Sequence, residues 1–177
     1  MGPAGRAPPM AILQPARILE RAAAVLSELQ RSSTWTPSLD RGTVEPSALL
    51  VRILTSAGQE RGGERPALRD YYLVSVRRGA GVSARFALDA ETGDFLEAEG
   101  VRKPGDVLAP YADPSDIVRR MTAPSTDELP SPEFVWWPCR QSTSRFVPFW
   151  RYQVQGRTVY VRADGVSFDE LTVTGRG

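Results

Sequence analysis

The chain has 177 residues, 41% of them apolar, and 22 basic residues set against 21 acidic ones for a net charge of +1. That length suits one domain or two small halves sharing a core, and the even charge gives no basic tract for nucleic acid or an anionic membrane. There is no His, Cys139 is the only Cys and Lys103 the only Lys, which removes the commonest proton shuttle and metal ligand and any internal disulfide, and fits a GC-rich genome.

Met1 to Pro9 is rich in Gly, Pro and Ala and too polar for a signal peptide, so residues 1–14 read as a tail. With a lone cysteine, this composition leads us to expect a reducing, cytoplasmic setting and no membrane span. From Pro15 the apolar positions Ile18, Leu19, Ala22, Val25, Leu26 and Leu29 recur at helical spacing, and Ser32-Ser33 with Thr36-Pro37 ends the segment. The short apolar run from Ala48 to Thr55 predicts a strand, and the Gly/Glu/Arg-rich stretch from Gly58 to Arg69 an exposed loop.

Tyr71 to Val76 and Val82 to Leu88 predict a hairpin through Gly79 and Gly81. Strand alternation places Tyr72, Val74 and Val76 on the core side and Tyr71 on the outer side, where it is a candidate contact residue. Asp89-Ala90-Glu91-Thr92-Gly93 then forms a turn, with Asp89 accepting from backbone N–H groups and Gly93 taking the left-handed conformation, before Phe95-Leu96. A terser copy follows the connector. Phe149 to Val154 turns at Gln155-Gly156 into Thr158 to Ala163, then Asp164-Gly165 and Val166 to Phe168.

Between the two groups, Asp113-Pro114-Ser115-Asp116 supplies helix-start signals ahead of Ile117, Val118 and Met121, and the proline-containing stretch from Thr122 to Pro132 reads as a linker. The division expected is a first helix-plus-sheet half at 15–100, a connector at 101–132 with a short helix at 113–121 belonging to the second half, and a second sheet half at 133–177. The fold class expected is α+β, two tandem helix-plus-antiparallel-sheet halves that can join in one continuous sheet.

Tyr72, Val74, Val76, Ala87, Leu88, Asp89, Ala90, Thr92, Gly93 and Leu96 resemble the PepSY-type domains, in which a helix packs on an antiparallel sheet and a strand ends in an Asp-x-x-Thr-Gly turn. The second half keeps Tyr160, Val161, Asp164, Gly165 and Leu171 but lacks the Thr. The resemblance implies a non-catalytic binding or inhibitory unit of the kind that accompanies peptidases, sensors or envelope proteins. The polar N-terminus departs from the secreted members.

The segment from Phe134 to Trp150 holds three of the four tryptophans. Trp136, Trp137, Arg140, Ser142 and Trp150 are, with Tyr71, the candidate binding residues, because Trp and Arg are favoured anchors of recognition surfaces. The alternative is packing, with Trp136, Phe146 and Phe149 in the core and Ser142 and Ser144 satisfying a turn. Cys139 lacks a His base and reads as a buried thiol, and Asp169 and Glu170 point to opposite sides of a strand and read as rim charges. No catalytic residue, metal or cofactor is implied. The expected function is a non-catalytic accessory module for a peptide or protein partner, which an exposed sheet edge would take as an added strand while the tryptophan segment supplies pockets. The rivals are a subunit of a self-assembling complex, and a small-ligand carrier or His-independent enzyme with a Trp/Arg-lined pocket.

Overall fold

In the computed structural model the residues described are 11–32, 36–54, 68–103, 105–113, 132–154 and 156–172. The order of elements is α1 (Pro15–Arg31), α2 (Thr36–Leu39), β1 (Thr43–Ile53), β2 (Tyr71–Arg78), β3 (Gly81–Asp89), β4 (Phe95–Gly100), β5 (Glu133–Trp136), β6 (Phe149–Val154), β7 (Arg157–Arg162) and β8 (Ser167–Phe168). The protein is α+β, dominated by one eight-stranded mixed sheet. Most of the expected segment from Gly58 to Arg69, and all of the expected helix after Asp113, lie outside the described residues.

Helix α1 forms where the 3.6-residue period predicts it. Ile18, Ala22 and Leu26 are buried at four-residue steps, with Leu19, Val25 and Leu29 packed beside them. They meet one face of β1–β3, formed by Leu50, Tyr72, Val74, Val76, Ala84, Phe86 and Leu88. The strand expected from Ala48 begins earlier, at Thr43. Pro46 is accommodated because the β1–β2 register shifts between Val44 and Ala48, where no regular ladder N–H is demanded of it.

The strands lie in the order β4-β3-β2-β1-β5-β6-β7-β8. Each flank is an antiparallel meander, and β1 and β5 meet in parallel at the centre through Arg52↔Val135 and Ile53↔Trp136. The pairs Leu49↔Leu73 and Val51↔Tyr71 define the face of the first flank turned away from α1. Since Ile53, two residues beyond Val51, shares its face and Trp136 is its partner, Phe134 and Trp136 continue that face across the centre. There Val51, Tyr71, Leu73, Ala87, Phe134, Trp136, Phe146 and Ala163 form a second core.

The outward orientation expected of Tyr71 is therefore corrected. Tyr71 is 1% exposed, because the second flank and the loop preceding β6 cover the back of β2 and both sides of that strand are interior. No helix among the described residues is long and apolar enough to cross a membrane.

Candidate functional site

The tryptophan-rich segment sits where the two flanks meet. Trp136 packs edge-on against Tyr71 with ring centroids 6.2 Å apart, and Phe134 stacks on Trp150 at 4.1 Å and takes the edge of Tyr111 at 5.7 Å. Two arginines close this seam. Arg85 pairs with Glu99 at 2.8 Å, donates to the Ala109 carbonyl and stands 4.2 Å from the centroid of Tyr111. Arg145 pairs with Glu97 at 3.1 Å and lies over both Tyr71 and Trp136. Tyr71 donates to the Arg145 carbonyl at 2.7 Å and Tyr111 to that of Phe146 at 3.2 Å. Burial raises both phenols above the ordinary tyrosine range, while the neighbouring Arg145 and Arg85 respectively pull the other way.

These contacts fill the seam. Tyr71, Trp136, Trp137 and Ser142 have buried side chains, Trp150 is half-buried and Arg140 is exposed. Of the six binding candidates, Tyr71, Trp136 and Trp150 belong to one cluster. Trp137 faces the other side of β5 with Val135, Cys139 and Phe149. The packing alternative raised for Trp136, Phe146 and Phe149 agrees with their burial. The indole Nε1 atoms of Trp136, Trp137 and Trp150 are buried without a hydrogen-bond partner among the described residues.

Beyond Trp137 the chain turns at Pro138, where Cys139 and Ser142 exchange backbone hydrogen bonds at 3.0 and 3.1 Å. The Ser142 hydroxyl lies 2.7 Å from the Val147 carbonyl and 3.0 Å from that of Ser144. Ser142 is thereby committed to shaping this loop. Arg140 is held by its backbone N–H on the Thr172 carbonyl. Cys139 is wholly buried, so its thiol has no open path to a substrate. Asp169 and Glu170 are exposed. Among the described residues no cluster of Cys, Asp and Glu has the grouping of a metal site. A depression lined by Gln30, Asp40, Arg41, Gly42 and Thr43 lies apart from the seam and contains none of the candidates.

Among the described residues the sheet ends in two edge strands, the two-residue β8 and the longer β4. Among those residues β4 pairs only with β3, leaving its other backbone edge unpaired. Phe95 and Leu96 on it are each 40% exposed, and the Glu97 side chain is 55% exposed. The Asp89 turn launches this strand. The Asp89 carboxylate accepts from the N–H groups of Glu91 and Thr92 at 2.8 and 2.9 Å, Gly93 has φ of 75°, and the Asp89 N–H donates to the Asp94 carbonyl at 2.9 Å. β4 runs on to Gly100, well past the Phe95-Leu96 pair expected from sequence. The alternation of Glu97, Ala98 and Glu99 was the available signal for that continuation. Which strand would lie at the edge had none, because it depends on the long-range order of the sheet. Comparison with protein-family models, curated proteins and solved structures finds no match for this chain.

Proposed function

We propose that the chain is a duplicated, PepSY-like, non-catalytic accessory module that binds a peptide or protein partner. The observation that carries this reading is the β4 edge, unpaired among the described residues, with Phe95 and Leu96 exposed on it, since main-chain pairing to a sheet edge is a general mode of peptide capture. The side chains best suited to covalent or acid–base chemistry give it indirect support. Cys139 is buried, Glu97, Glu99 and Asp164 are engaged by arginines, and Asp89 is spent on its turn.

The duplication is supported by the order of the strands. A two-fold axis lying in the sheet along β1 and β5 keeps strand direction and exchanges the faces, as the parallel pairing at the centre requires. It carries Val74↔Phe86 and Val76↔Ala84, which lie under α1, onto Trp150↔Val161 and Tyr152↔Val159 on the opposite face. It also carries the Asp89 turn onto that at Asp164, whose carboxylate faces the Val166 N–H at 3.4 Å.

The test is capture from the source cells with the purified chain as bait, read with the molar mass of the free chain by light scattering. A defined heterologous complex supports the module, and loss of capture in Arg140→Ala or Trp150→Ala would bring the tryptophan segment into the interface. A chain that assembles with itself and captures nothing would establish the self-assembling subunit in its place.

A further inference from the structure

We propose that the outer edge of β4 takes an extended segment of a partner protein as a ninth strand, and that this segment carries basic residues at alternate positions with an apolar residue between them. The inference rests on the binding-module reading and gives its partner a chemistry. Glu97 and Glu99 stand opposite Ala87 and Arg85 on one face of β4, while Ala98 stands opposite Phe86 on the face toward α1. The register shifts between Ala87 and Leu88, so that Phe95 pairs with Leu88 and joins the α1 side, its ring edge-on to Phe86 at 5.9 Å. An antiparallel strand laid on β4 places its side chains beside those they oppose. Read along that incoming strand, the positions over Glu99, Ala98 and Glu97 suit basic, apolar and basic residues, and the position over Phe95, one residue further on, suits an apolar one.

The two carboxylates have capacity for such a partner. Among the described residues Arg85 engages Glu99 through Oε1 alone and Arg145 engages Glu97 through Oε2 alone, and an ionised carboxylate accepts about four hydrogen bonds. Asp94 and Glu91 extend the acidic rim into the preceding turn, and no Lys or Arg occurs from Phe86 to Val101. A second copy of this chain is the poorer occupant. Antiparallel pairing of β4 with itself would set two acidic strands against each other, and like charges across a strand pair are destabilising. The acidic pair therefore guards the edge against self-pairing and selects a segment of opposite charge.

The experiment uses the full chain and a fluorescein-labelled peptide in which Lys-Val-Lys-Val-Thr is flanked by Gly and Ser, with a control having Glu for both Lys. Anisotropy gives affinity at low and raised salt, and hydrogen exchange by mass spectrometry maps protection. The expected result is binding of the Lys peptide that weakens with salt, no comparable binding of the Glu peptide, and new protection confined to Phe95–Gly100. Glu97→Gln, a change at an exposed side chain, is expected to weaken the Lys peptide about two- to five-fold with the fold intact. Equal binding of both peptides, or protection away from β4, overturns the proposal. So does concentration-dependent protection of β4 in the chain alone, which would assign the edge to a second copy. Capture of a cellular partner that leaves β4 unprotected sinks this inference while the binding-module reading stands; failure of both capture and peptide binding removes both.

Discussion

The Arg85 guanidinium lies 4.2 Å from the centroid of the Tyr111 ring while its Nη1 pairs with Glu99 at 2.8 Å, so one buried cation ties the edge strand β4 to the connector. Its Nε has no partner among the described residues, and the Arg85 side chain is only 7% exposed. Only the Arg85 side of the pair is buried, the Glu99 side chain being 30% exposed, so removing the cation empties a packed site and leaves a half-buried carboxylate without its partner.

Arg85→Ala is expected to lower stability by about 2–4 kcal/mol, and Arg85→Lys by about 1–2 kcal/mol, because an ammonium keeps the charge but loses the planar fork and its stacking. Urea denaturation curves measure both. If Arg85→Ala moved the midpoint no further than a surface substitution, the pair would be an ornament of the seam and not part of its support.

The same seam predicts a pH dependence. Tyr71 and Tyr111 are pushed above the ordinary tyrosine value of 10.0, chiefly by burial. A phenol whose folded pKa exceeds its unfolded one contributes stability that is whole below about pH 10 and lost as the pH climbs toward the folded value, because the unfolded chain releases the proton first. Stability should thus fall above about pH 10, with the phenolate absorbance of these two residues rising together with unfolding. Tyr111→Phe should flatten that alkaline fall and cost about 1 kcal/mol at neutral pH for the hydrogen bond to Phe146. A phenolate signal from Tyr71 and Tyr111 in the native state would contradict this burial.

At the β3–β4 turn, Asp89→Ala removes the acceptor of two backbone N–H groups in a buried setting, and about 1–3 kcal/mol is the expected loss. Gly93→Ala meets two obstacles. Its φ is 75°, and an added Cβ would lie 3.1 Å from Arg21 Cγ and 3.3 Å from Leu13 Cδ1, so about 1–2 kcal/mol is expected there. Hydrogen exchange at β4 should rise in both variants, since the turn sets where that strand begins.

What the sequence made legible was local. The helical period from Ile18 to Leu29, the hairpins flanking Gly79 and Gly156, and the Asp89 turn each have a short-range cause and stand where that cause puts them. Tyr71 was misplaced because alternation tells which residues share a side of a strand and not whether the other side is wet. In Tyr71-Tyr72-Leu73-Val74 the apolar character is unbroken, as expected of a strand covered on both faces, and that continuity was the stronger signal. The tryptophan segment was ambiguous for a related reason. The same Trp and Arg side chains serve recognition and packing, and what decided between them was the return of the second flank onto the first.

For Trp136 the unpartnered indole gives a sharp expectation. Trp136→Phe removes volume but breaks no hydrogen bond, so it should cost less than about 1.5 kcal/mol, whereas Trp136→Ala opens a cavity beside Tyr71 and should cost about 3–5 kcal/mol. Denaturation of the two variants side by side separates packing from polar contributions. A large loss in Trp136→Phe would show that the indole N–H has a partner in solution, such as an ordered water.

The Cys139 thiol supplies the last test, and it bears on function as well as on packing. Its side chain is fully buried among Val135, Trp137 and Phe149, and its backbone is clamped to Ser142. A disulfide reagent can reach it only when that turn opens. Labelling of the native chain should be slower than that of the unfolded chain by at least about a thousandfold, corresponding to an opening free energy of about 4 kcal/mol. The rate should also climb steeply with denaturant, as it does when a buried site is exposed by large-scale opening. Fast labelling in the absence of denaturant would mean that the Pro138–Ser142 turn opens at little cost, and it would overturn the reading of Cys139 as an inert buried thiol.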